Sequence, residues 1–295
     1  MKLEITQINR LGNRETNEDR LIVVDRKQAA LIVVADGMGG HRGGDIAAQI
    51  FVDTLEHFFR RVPLPVSNPK AFLKKAIDTA HQSICQERKN HKKDIDPRTT
   101  CVICLIQGDT ANWAHVGDSR LYLLRKQKIL ARTIDHSYVE ELFRQGLISE
   151  ADMLTHPKRS YLTQCVGGVE QKPDVSYGLM ESLQEQDTFI LCSDGFWTAV
   201  DEQALRAINT HVDLDKSIHD LAAIAESSSY PQSDNISVAA LRIINFAEKQ
   251  TPQKSKTAEP NQNNNQADNV DHAVAAITQA LEDYQNEMNY DPDTK

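Results

Sequence analysis

Residues 99–130, TTCVICLIQGDTANWAHVGDSRLYLLRKQKIL, indicate the fold class of this chain. Short apolar runs in this stretch are separated by polar pairs, Gly-Asp at 108–109 and Lys-Gln at 126–127. Such pairs between apolar runs are typical of hairpin turns. The stretch therefore predicts consecutive strands that are joined by hairpins.

Two long helices are predicted on the N-terminal side of this stretch. Residues 43–61 carry apolar side chains at helical spacing, and residues 69–89 do the same after Pro69, which suits a first helical turn. Further patterns are helical at 138–145, 201–210 and 214–227, and extended at 3–8, 21–25, 29–36, 174–180, 187–193 and 235–244. Strand runs interrupted by helix pairs, without strict βαβ alternation, favour an α+β layered fold.

The composition disfavours several classes of protein. Among 295 residues, 33 Lys and Arg oppose 42 Asp and Glu, for a formal net charge of −9. Nucleic-acid and acidic-membrane partners need clustered positive charge, so neither is expected. No apolar run approaches the length of a membrane span, and the start MKLEITQINR has no signal-peptide stretch. We therefore expect a cytoplasmic protein without a membrane span.

The five cysteines are scattered along the chain and do not form a disulfide-type pattern. Cys101 and Cys104 form a CxxC, but they fall in a predicted strand, where an odd separation places side chains on opposite faces. Zinc or dithiol chemistry is therefore not expected there.

The composition changes near residue 247, which predicts one domain at 1–247. Residues 248–269 are rich in Gln, Asn, Lys and Pro and are interpreted as a polar flexible linker. Residues 270–290 are predicted to form a short amphipathic helix. Its apolar seam is Val270, Val274, Ile277, Leu281, Tyr284 and Met288. Three interpretations stay open: a disordered end, a helix that docks on the domain, and a docking helix for another protein.

Acidic residues stand beside the predicted strands. They are Asp36 in VVADG, Asp118 in HVGDSR, Asp194 in LCSDG, Asp234 in SDNIS, and Glu18 with Asp19 in RETNEDR. A single Asp-Gly after a strand is most simply turn chemistry. Carboxylates are seldom buried unless they are paired or bind metal, and all-oxygen sites suit Mg²⁺ or Mn²⁺. Several of them at strand ends therefore indicate a metal site at a shared sheet edge.

Six motifs together resemble the metal-dependent protein phosphatases, the type 2C serine/threonine phosphatases. RETNEDR, VADGMGG, HVGDSRLY, LTQCVGG, LCSDGFW and SDNIS follow the order and approximate spacing of that family over about residues 5–245. Met38, directly after Asp36-Gly37, resembles the bacterial branch of the family, which has Met at this position. The resemblance implies a four-layer α-β-β-α sandwich, with a dinuclear metal site at one end of the central β-sandwich.

The resemblance also implies a set of metal ligands. Asp36 would bridge two tightly bound Mn²⁺ or Mg²⁺ ions and serve catalysis, and Gly37 would offer its backbone carbonyl to one of them. Asp194 and Asp234 would ligate the other ion. Asp118 resembles the ligand that bacterial members use, together with the Asp194 position, for a third and weaker ion; its alternative is a turn-capping role.

Other positions carry implied roles around these ligands. Arg14 resembles the catalytic, substrate-binding arginine that grips the phosphate, and its alternative is a solvated surface charge. Glu18 and Asp19 would hold metal-bound waters from outside the ligand set. Met38 stands where eukaryotic members have a histidine proposed to protonate the leaving group, and methionine has no proton to give. His41 is a substitute donor that the sequence alone supports only weakly.

The function implied by the resemblance is hydrolysis of phosphoserine and phosphothreonine in phosphoproteins, the substrates of a serine/threonine kinase. A metal-bound water or hydroxide would attack directly, without a phosphoenzyme intermediate. Residues 137–166 correspond to the family's flap beside the site. Two alternatives are an inactive or weak regulatory binding module on the same fold and a phosphatase of small phosphate esters. The C-terminal helix leaves room for a protein partner.

Overall fold

The computed structural model describes residues 1–38, 43–91, 95–168, 171–208 and 212–246. The strands in these ranges are β1 (Lys2–Arg10), β2 (Asp19–Asp25), β3 (Ala29–Met38), β4 (Arg98–Thr99), β5 (Cys101–Gln107), β6 (Thr110–Val116), β7 (Arg120–Arg125), β8 (Lys128–Arg132), β9 (Val166–Gly167), β10 (Ser176–Met180), β11 (Thr188–Cys192) and β12 (Ile236–Asn245). The helices are α1 (Gly44–Arg61), α2 (Pro69–Asn90), α3 (Tyr138–Arg144), α4 (Glu150–Thr155), α5 (Asp194–Trp197), α6 (Glu202–Arg206) and α7 (Leu214–Ser228).

The strands form two antiparallel sheets. The five-stranded sheet has the order β1-β12-β11-β7-β8. In the seven-stranded sheet, β10, β6, β5 and β3 are neighbours, β2 pairs with the other side of β3, and β4 and β9 extend the end of β3. The hairpins predicted at 108–109 and 126–127 join β5 to β6 and β7 to β8. Lys126 and Gln127 both have positive φ, as a tight two-residue hairpin turn requires.

Alternating side chains on the central strands make four layers. In β3, Leu31 and Val33 pack against α1 and α2, whereas Ile32 and Val34 face the other sheet. In β12, alternate residues divide in the same way between the space between the sheets and the layer of α5–α7. The predicted α-β-β-α sandwich is therefore confirmed. Cys101 faces the α1–α2 layer and Cys104 faces the space between the sheets, on opposite faces as predicted.

Most predicted helices begin and end close to the expected residues. The helix that begins at Pro69 is capped by Asn68, whose side chain accepts a hydrogen bond from the Ala71 N–H. The helix predicted at 201–210 is shorter than expected, because α6 ends at Arg206 and the next turn directs Ile208 into the core.

The two sheets bring one set of their ends together. Arg10 at the end of β1 pairs with Ile236 at the start of β12, and Cys192 at the end of β11 pairs with Arg120. In the other sheet, Asp19 at the start of β2 pairs with Asp36 near the end of β3. The predicted metal ligands, together with Arg14, Glu18 and Asp19, lie at this end of the sandwich.

Some predictions concern residues beyond those that the structure describes. The linker at 248–269, the helix at 270–290 and His41 lie outside the described residues. The domain boundary at 247 stays a prediction. No helix in the described ranges is both long enough and apolar enough to cross a membrane.

Candidate active site

Five aspartates from both sheets converge at one end of the sandwich. This carboxylate cluster consists of Asp19, Asp36, Asp118, Asp194 and Asp234. Burial raises the pKa of Asp36 well above its ordinary value, and the negative charges of the other four aspartates raise this pKa further. Such mutual repulsion requires short distances, so residues up to about 200 positions apart in the chain share one site.

Direct hydrogen bonds connect the two sheets within the cluster. The carboxyl groups of Asp36 and Asp194 share a hydrogen bond. The Ser193 hydroxyl donates to Oδ2 of Asp19 at 2.7 Å, and Asp19 is almost completely buried. Asp194 is the first residue of α5, because β11 ends at Cys192. The strand predicted at 187–193 thus ends one residue early, and the helical turn that follows it was not predicted.

Two threonines hold the backbone at Asp36. The Thr100 N–H donates to the carbonyl oxygen of Asp36 at 2.8 Å, and the Thr99 hydroxyl donates to the same oxygen at 3.0 Å. The Asp36 N–H in turn donates to the Thr100 hydroxyl at 3.2 Å. The sequence analysis missed both threonines, although their position directly before the apolar strand at 101 was a usable signal.

Gly37 is required by the close approach of two other backbone segments. A Cβ at this position would collide with the carbonyl of Gly44 and lie 2.6 Å from that of Glu18. A Cβ at Gly44, the first residue of α1, would lie 2.8 Å from the carboxyl carbon of Glu18. The Glu18 carboxyl therefore rests against the positive end of an 18-residue helix. Burial raises the pKa of Glu18, and the nearby charge of Asp45 adds to the rise.

Asn235 ties the N-terminal loop to the start of β12. Its Oδ1 accepts from the Glu18 N–H at 2.9 Å, and its Nδ2 donates to the carbonyl oxygens of Leu11 and Thr16 at 2.8 and 3.1 Å. These bonds fix the loop that carries Arg14 and Glu18. Asn235 was quoted within the SDNIS motif, but its role was not predicted.

Arg14 lies on the carboxylate cluster. Its Nη2 is 2.5 Å from Oδ2 of Asp234, and its side chain is 55% exposed. The exposed guanidinium forms an ion pair with one of the predicted metal ligands.

The turn between β6 and β7 presents Asp118. Burial raises the pKa of Asp118 well above its ordinary value, and the negative charges of Asp194 and Asp135 raise it further. The indole Nε1 of Trp197 donates to the Asp118 carbonyl oxygen at 2.9 Å. Arg120 stacks 3.4 Å over the Trp197 ring and pairs with both carboxylate oxygens of Asp135. The turn is thus held through its backbone, which leaves the Asp118 carboxylate available to a ligand.

The cluster carries more negative charge than its surroundings balance. Burial raises the pKa of Asp19 to about 7 and that of Asp194 to about 6. In the described part of the chain, no three Asp, Glu, His or Cys side chains already surround one point as metal ligands. Arg14 engages Asp234, and Asp36 bonds to Asp194. These carboxylates nevertheless form an all-oxygen donor set with unbalanced negative charge, which fits hard divalent cations. Binding of a cation would replace the contacts of Asp234 with Arg14 and of Asp36 with Asp194.

The flap, residues 137–166, lies beside Asp118 and contains α3 and α4. Ser137 and Leu162 form an isolated bridge that closes its base. Its outer surface exposes large apolar side chains. They include Leu147, Leu154 and Tyr161.

The chain is similar to one family of known proteins. The family model described as "Protein phosphatase 2C" matches residues 9–234. The serine/threonine phosphatase stp of Listeria welshimeri is 34% identical over 230 residues, which cover 76% of this chain and 89% of that protein. The serine/threonine phosphatase structure of S. agalactiae has 28% identity and a TM-score of 0.74, and the match covers 82% of this chain and all of that one.

A second solved structure is the catalytic domain of the serine/threonine phosphatase PstP in complex with two manganese ions. It has 27% identity and a TM-score of 0.71, over 82% of this chain and 99% of that one. The family match extends over the residues of the carboxylate cluster, from Asp19 to Asp234. The chain belongs to the protein phosphatase 2C family and is a protein serine/threonine phosphatase.

Proposed function

We propose that this phosphatase hydrolyses phosphoserine and phosphothreonine in proteins at the carboxylate cluster, with two tightly held Mn²⁺ or Mg²⁺ ions and a third, weaker ion. The convergence of five aspartates from both sheets carries the proposal. An inactive binding module would not need this unbalanced charge, because a buried carboxylate cluster destabilises the fold unless it has a function.

The residues that would hold the ions are those that the family resemblance implies. Asp36, the Gly37 carbonyl, Asp194 and Asp234 would hold the two tight ions, and Asp118 with Asp194 the weaker one. The two manganese ions in the PstP structure support the proposal of two tightly held divalent ions. When bound, such ions neutralise the phosphate dianion and activate the attacking water. Glu18 and Asp19 lie against these ligands and would hold their waters in place.

Arg14 is proposed to bind the substrate phosphate. Its side chain is 55% exposed and reaches the cluster from the solvent side. When a cation takes over Asp234, the guanidinium is released from its ion pair, and its planar fork suits two phosphate oxygens. The ion pair with Asp234 therefore holds Arg14 at the position where the phosphate arrives.

The surroundings of Arg14 have room for a polypeptide substrate. A cavity of about 480 Å³ opens beside the Arg14 loop, lined by Asn13, Ser233, Glu226 and Tyr230 among others. The base of the flap adjoins the turn that carries Asp118, since the His136 N–H donates to the Gly117 carbonyl oxygen, and the flap exposes large apolar side chains. A phosphatase of small esters would need neither surface, so both favour phosphoproteins made by a serine/threonine kinase. A cytoplasmic location stays a prediction.

The experiment that tests this function is hydrolysis of a phosphoserine peptide and of a small phosphate ester by the full chain. Both are measured with Mn²⁺, with Mg²⁺ and with excess chelator. We expect turnover that appears with metal and disappears with chelator, and a higher kcat/KM on the peptide. Metal-independent turnover would contradict the ion assignment, whereas a clear preference for small esters would contradict the substrate class.

A further inference from the structure

The cavity beside Arg14 is formed where the loop after β1 crosses the loop between α7 and β12. The Asn13 N–H of the first loop donates to the Ser233 carbonyl oxygen of the second at 2.9 Å. Gly12 has a φ of +62°, and a Cβ there would collide with the carbonyl of Asp234. The two loops that carry Arg14 and Asp234 therefore also form the cavity, which is continuous with the site of the proposed phosphate contact.

Glu226, in the last turn of α7, and Tyr230, just after that helix, line the cavity. Oε2 of Glu226 accepts from Nη1 of Arg10 at 2.8 Å, and no described residue donates to Oε1. A carboxylate has about four acceptor positions, so Glu226 can bind a second cation. Tyr230 is 73% exposed, and within the described ranges no cation lies over its ring. The cavity thus combines a carboxylate oxygen and an aromatic face that are both open to a ligand.

A long basic side chain fits this cavity better than an apolar or an acidic one. Ala223 and the Tyr230 ring would cover its methylene groups, and its charged end would meet Oε1 of Glu226. An apolar side chain would remove water from Ser227 and Ser233, which also line the cavity, without offering them a hydrogen bond. An acidic side chain would be repelled by Glu226. The formal net charge of −9 likewise favours a cationic group.

We propose that this cavity binds an arginine or lysine side chain of the phosphoprotein, within three residues of the phosphorylated one, and that Glu226 and Tyr230 determine this specificity. Three extended residues span about 10 Å. A peptide whose phosphate lies on Arg14 would thus place a flanking side chain in the adjoining cavity. This inference rests on the proposed function, because it requires a phosphoprotein substrate whose phosphate Arg14 binds.

The first experiment varies the sequence around a phosphoserine. The full chain with saturating Mn²⁺ hydrolyses a set of peptides that carry a single Arg at each of the three positions before and after phosphoserine, with Ala elsewhere. The same peptides with Leu in place of Arg, and an all-Ala peptide, are the references. We expect Arg at one or two positions to raise kcat/KM about five- to ten-fold, mainly through a lower KM, and high salt to weaken this preference.

Variants of the cavity wall test whether the named residues cause that preference, which is the ratio of kcat/KM for the best Arg peptide to that for the all-Ala peptide. Glu226→Gln should lower the ratio about two- to five-fold, whereas Arg10→Gln, which frees Oε2 of Glu226, should raise it. Tyr230→Leu should lower the ratio about two- to five-fold, and Tyr230→Phe should keep it. Asp220→Asn is the matched control, because it removes a negative charge from the same helix about 9 Å from Glu226 along the helix axis and should keep the ratio.

The all-Ala peptide separates failure of the cavity from failure of the proposed function. If no peptide shows Mn²⁺-dependent turnover, the proposed function fails. If the peptides are hydrolysed but Arg gives the same gain at every position, or none, the basic-side-chain site is overturned and the proposed function stands. Retention of the Arg preference in Glu226→Gln would overturn the site in the same way. A preference for Leu that persists at high salt would also overturn it, because the occupant would then be apolar.

Discussion

The carboxylate cluster and the flap lie side by side but are built in opposite ways. The cluster lies at the meeting ends of two sheets, and its backbone is fixed by bonds such as those of Thr100 and Asn235. In the flap, α4 buries no residue, and α3 buries only Val139 and Glu140. We therefore expect the cluster to carry out the steps common to all phosphate esters and the flap to discriminate between substrates.

The strongest test of this division is Asp36→Asn. Loss of the bridging charge should lower turnover at least about 10³-fold, by the same factor for a small ester and for a phosphoprotein. Steady-state kinetics on both substrates in saturating Mn²⁺ measures the effect. Near-normal turnover would contradict the two-ion assignment, and a loss confined to the phosphoprotein would place Asp36 in substrate discrimination.

Arg14→Ala should have the next largest effect. Removing a charge-assisted contact to phosphate costs about 1.5–3 kcal/mol, which corresponds to roughly a 10- to 150-fold loss of kcat/KM. Because Arg14 pairs with Asp234 in this structure, its removal should leave Mn²⁺ binding at least as tight as in the native chain.

Arg14→Lys is the matched control, since it keeps the charge without the planar fork and should give an intermediate loss. Isothermal titration with Mn²⁺ separates the two roles of the arginine. Unchanged kinetics would show that Arg14 is only a surface charge. Weakened Mn²⁺ binding would show that Arg14 supports the metal ligands instead of the substrate.

Some features of the fold and of the cluster could be predicted from the sequence. Asp36 and Asp118 were predictable because each adjoins an apolar strand, and the odd separation of Cys101 and Cys104 correctly predicted that they face different layers. Pro69 correctly predicted where α2 begins. Each of these signals depends on neighbouring residues only, so a short stretch of sequence is enough to recognise it.

The supporting contacts are not local. The bonds from Asn235 to Leu11 and from Thr99 to Asp36 join positions 224 and 63 residues apart. No local pattern specifies such partners, because they depend on how the two sheets meet. The four-residue α5 was missed for a related reason, since a single turn is too short to show helical periodicity.

The charge of the cluster also predicts a pH-dependent stability. A carboxyl whose pKa is raised on folding stabilises the fold at low pH, and this contribution is lost as the pH rises through the folded pKa. For Asp194 and Asp19 that loss falls near pH 6 and 7. Without metal at pH 8, Asp36→Asn should therefore melt at least about 2 °C above the native chain, or roughly 1 kcal/mol.

Thermal melts from pH 8 to pH 5 test this expectation, and the difference should narrow as the remaining carboxyls take up protons. Saturating Mn²⁺ should reverse the order, because it stabilises only the chain that binds it. Asp220→Asn, on the exposed face of α7, is the control and should not change the melting temperature. If metal-free Asp36→Asn were less stable than the native chain at pH 8, repulsion between the clustered carboxylates would not be what limits stability.

The flap should show the opposite selectivity. Leu147 and Tyr161 are 66% and 65% exposed, so their truncation costs the fold little. The double change Leu147→Ala and Tyr161→Ala should raise KM for a phosphoprotein roughly three- to ten-fold and leave small-ester turnover within about two-fold. Ile224→Ala, an equally apolar exposed change on α7, should affect neither substrate. Equal losses on both substrates would show that the flap takes part in the chemistry.

The smallest effect is expected from truncation after Ala247. The strand β12 begins at the cluster and ends at Asn245, and its ten residues span about 33 Å, so Asn245 lies at the opposite end of the sandwich. A polar linker of about 22 residues has a typical reach of only about 25 Å.

Truncation should therefore leave small-ester turnover unchanged. If the predicted helix at 270–290 docks protein substrates, its loss should lower phosphoprotein turnover about two- to five-fold. Equal activity on every protein substrate would contradict that docking role, whereas a lower melting temperature would assign the helix to the catalytic body.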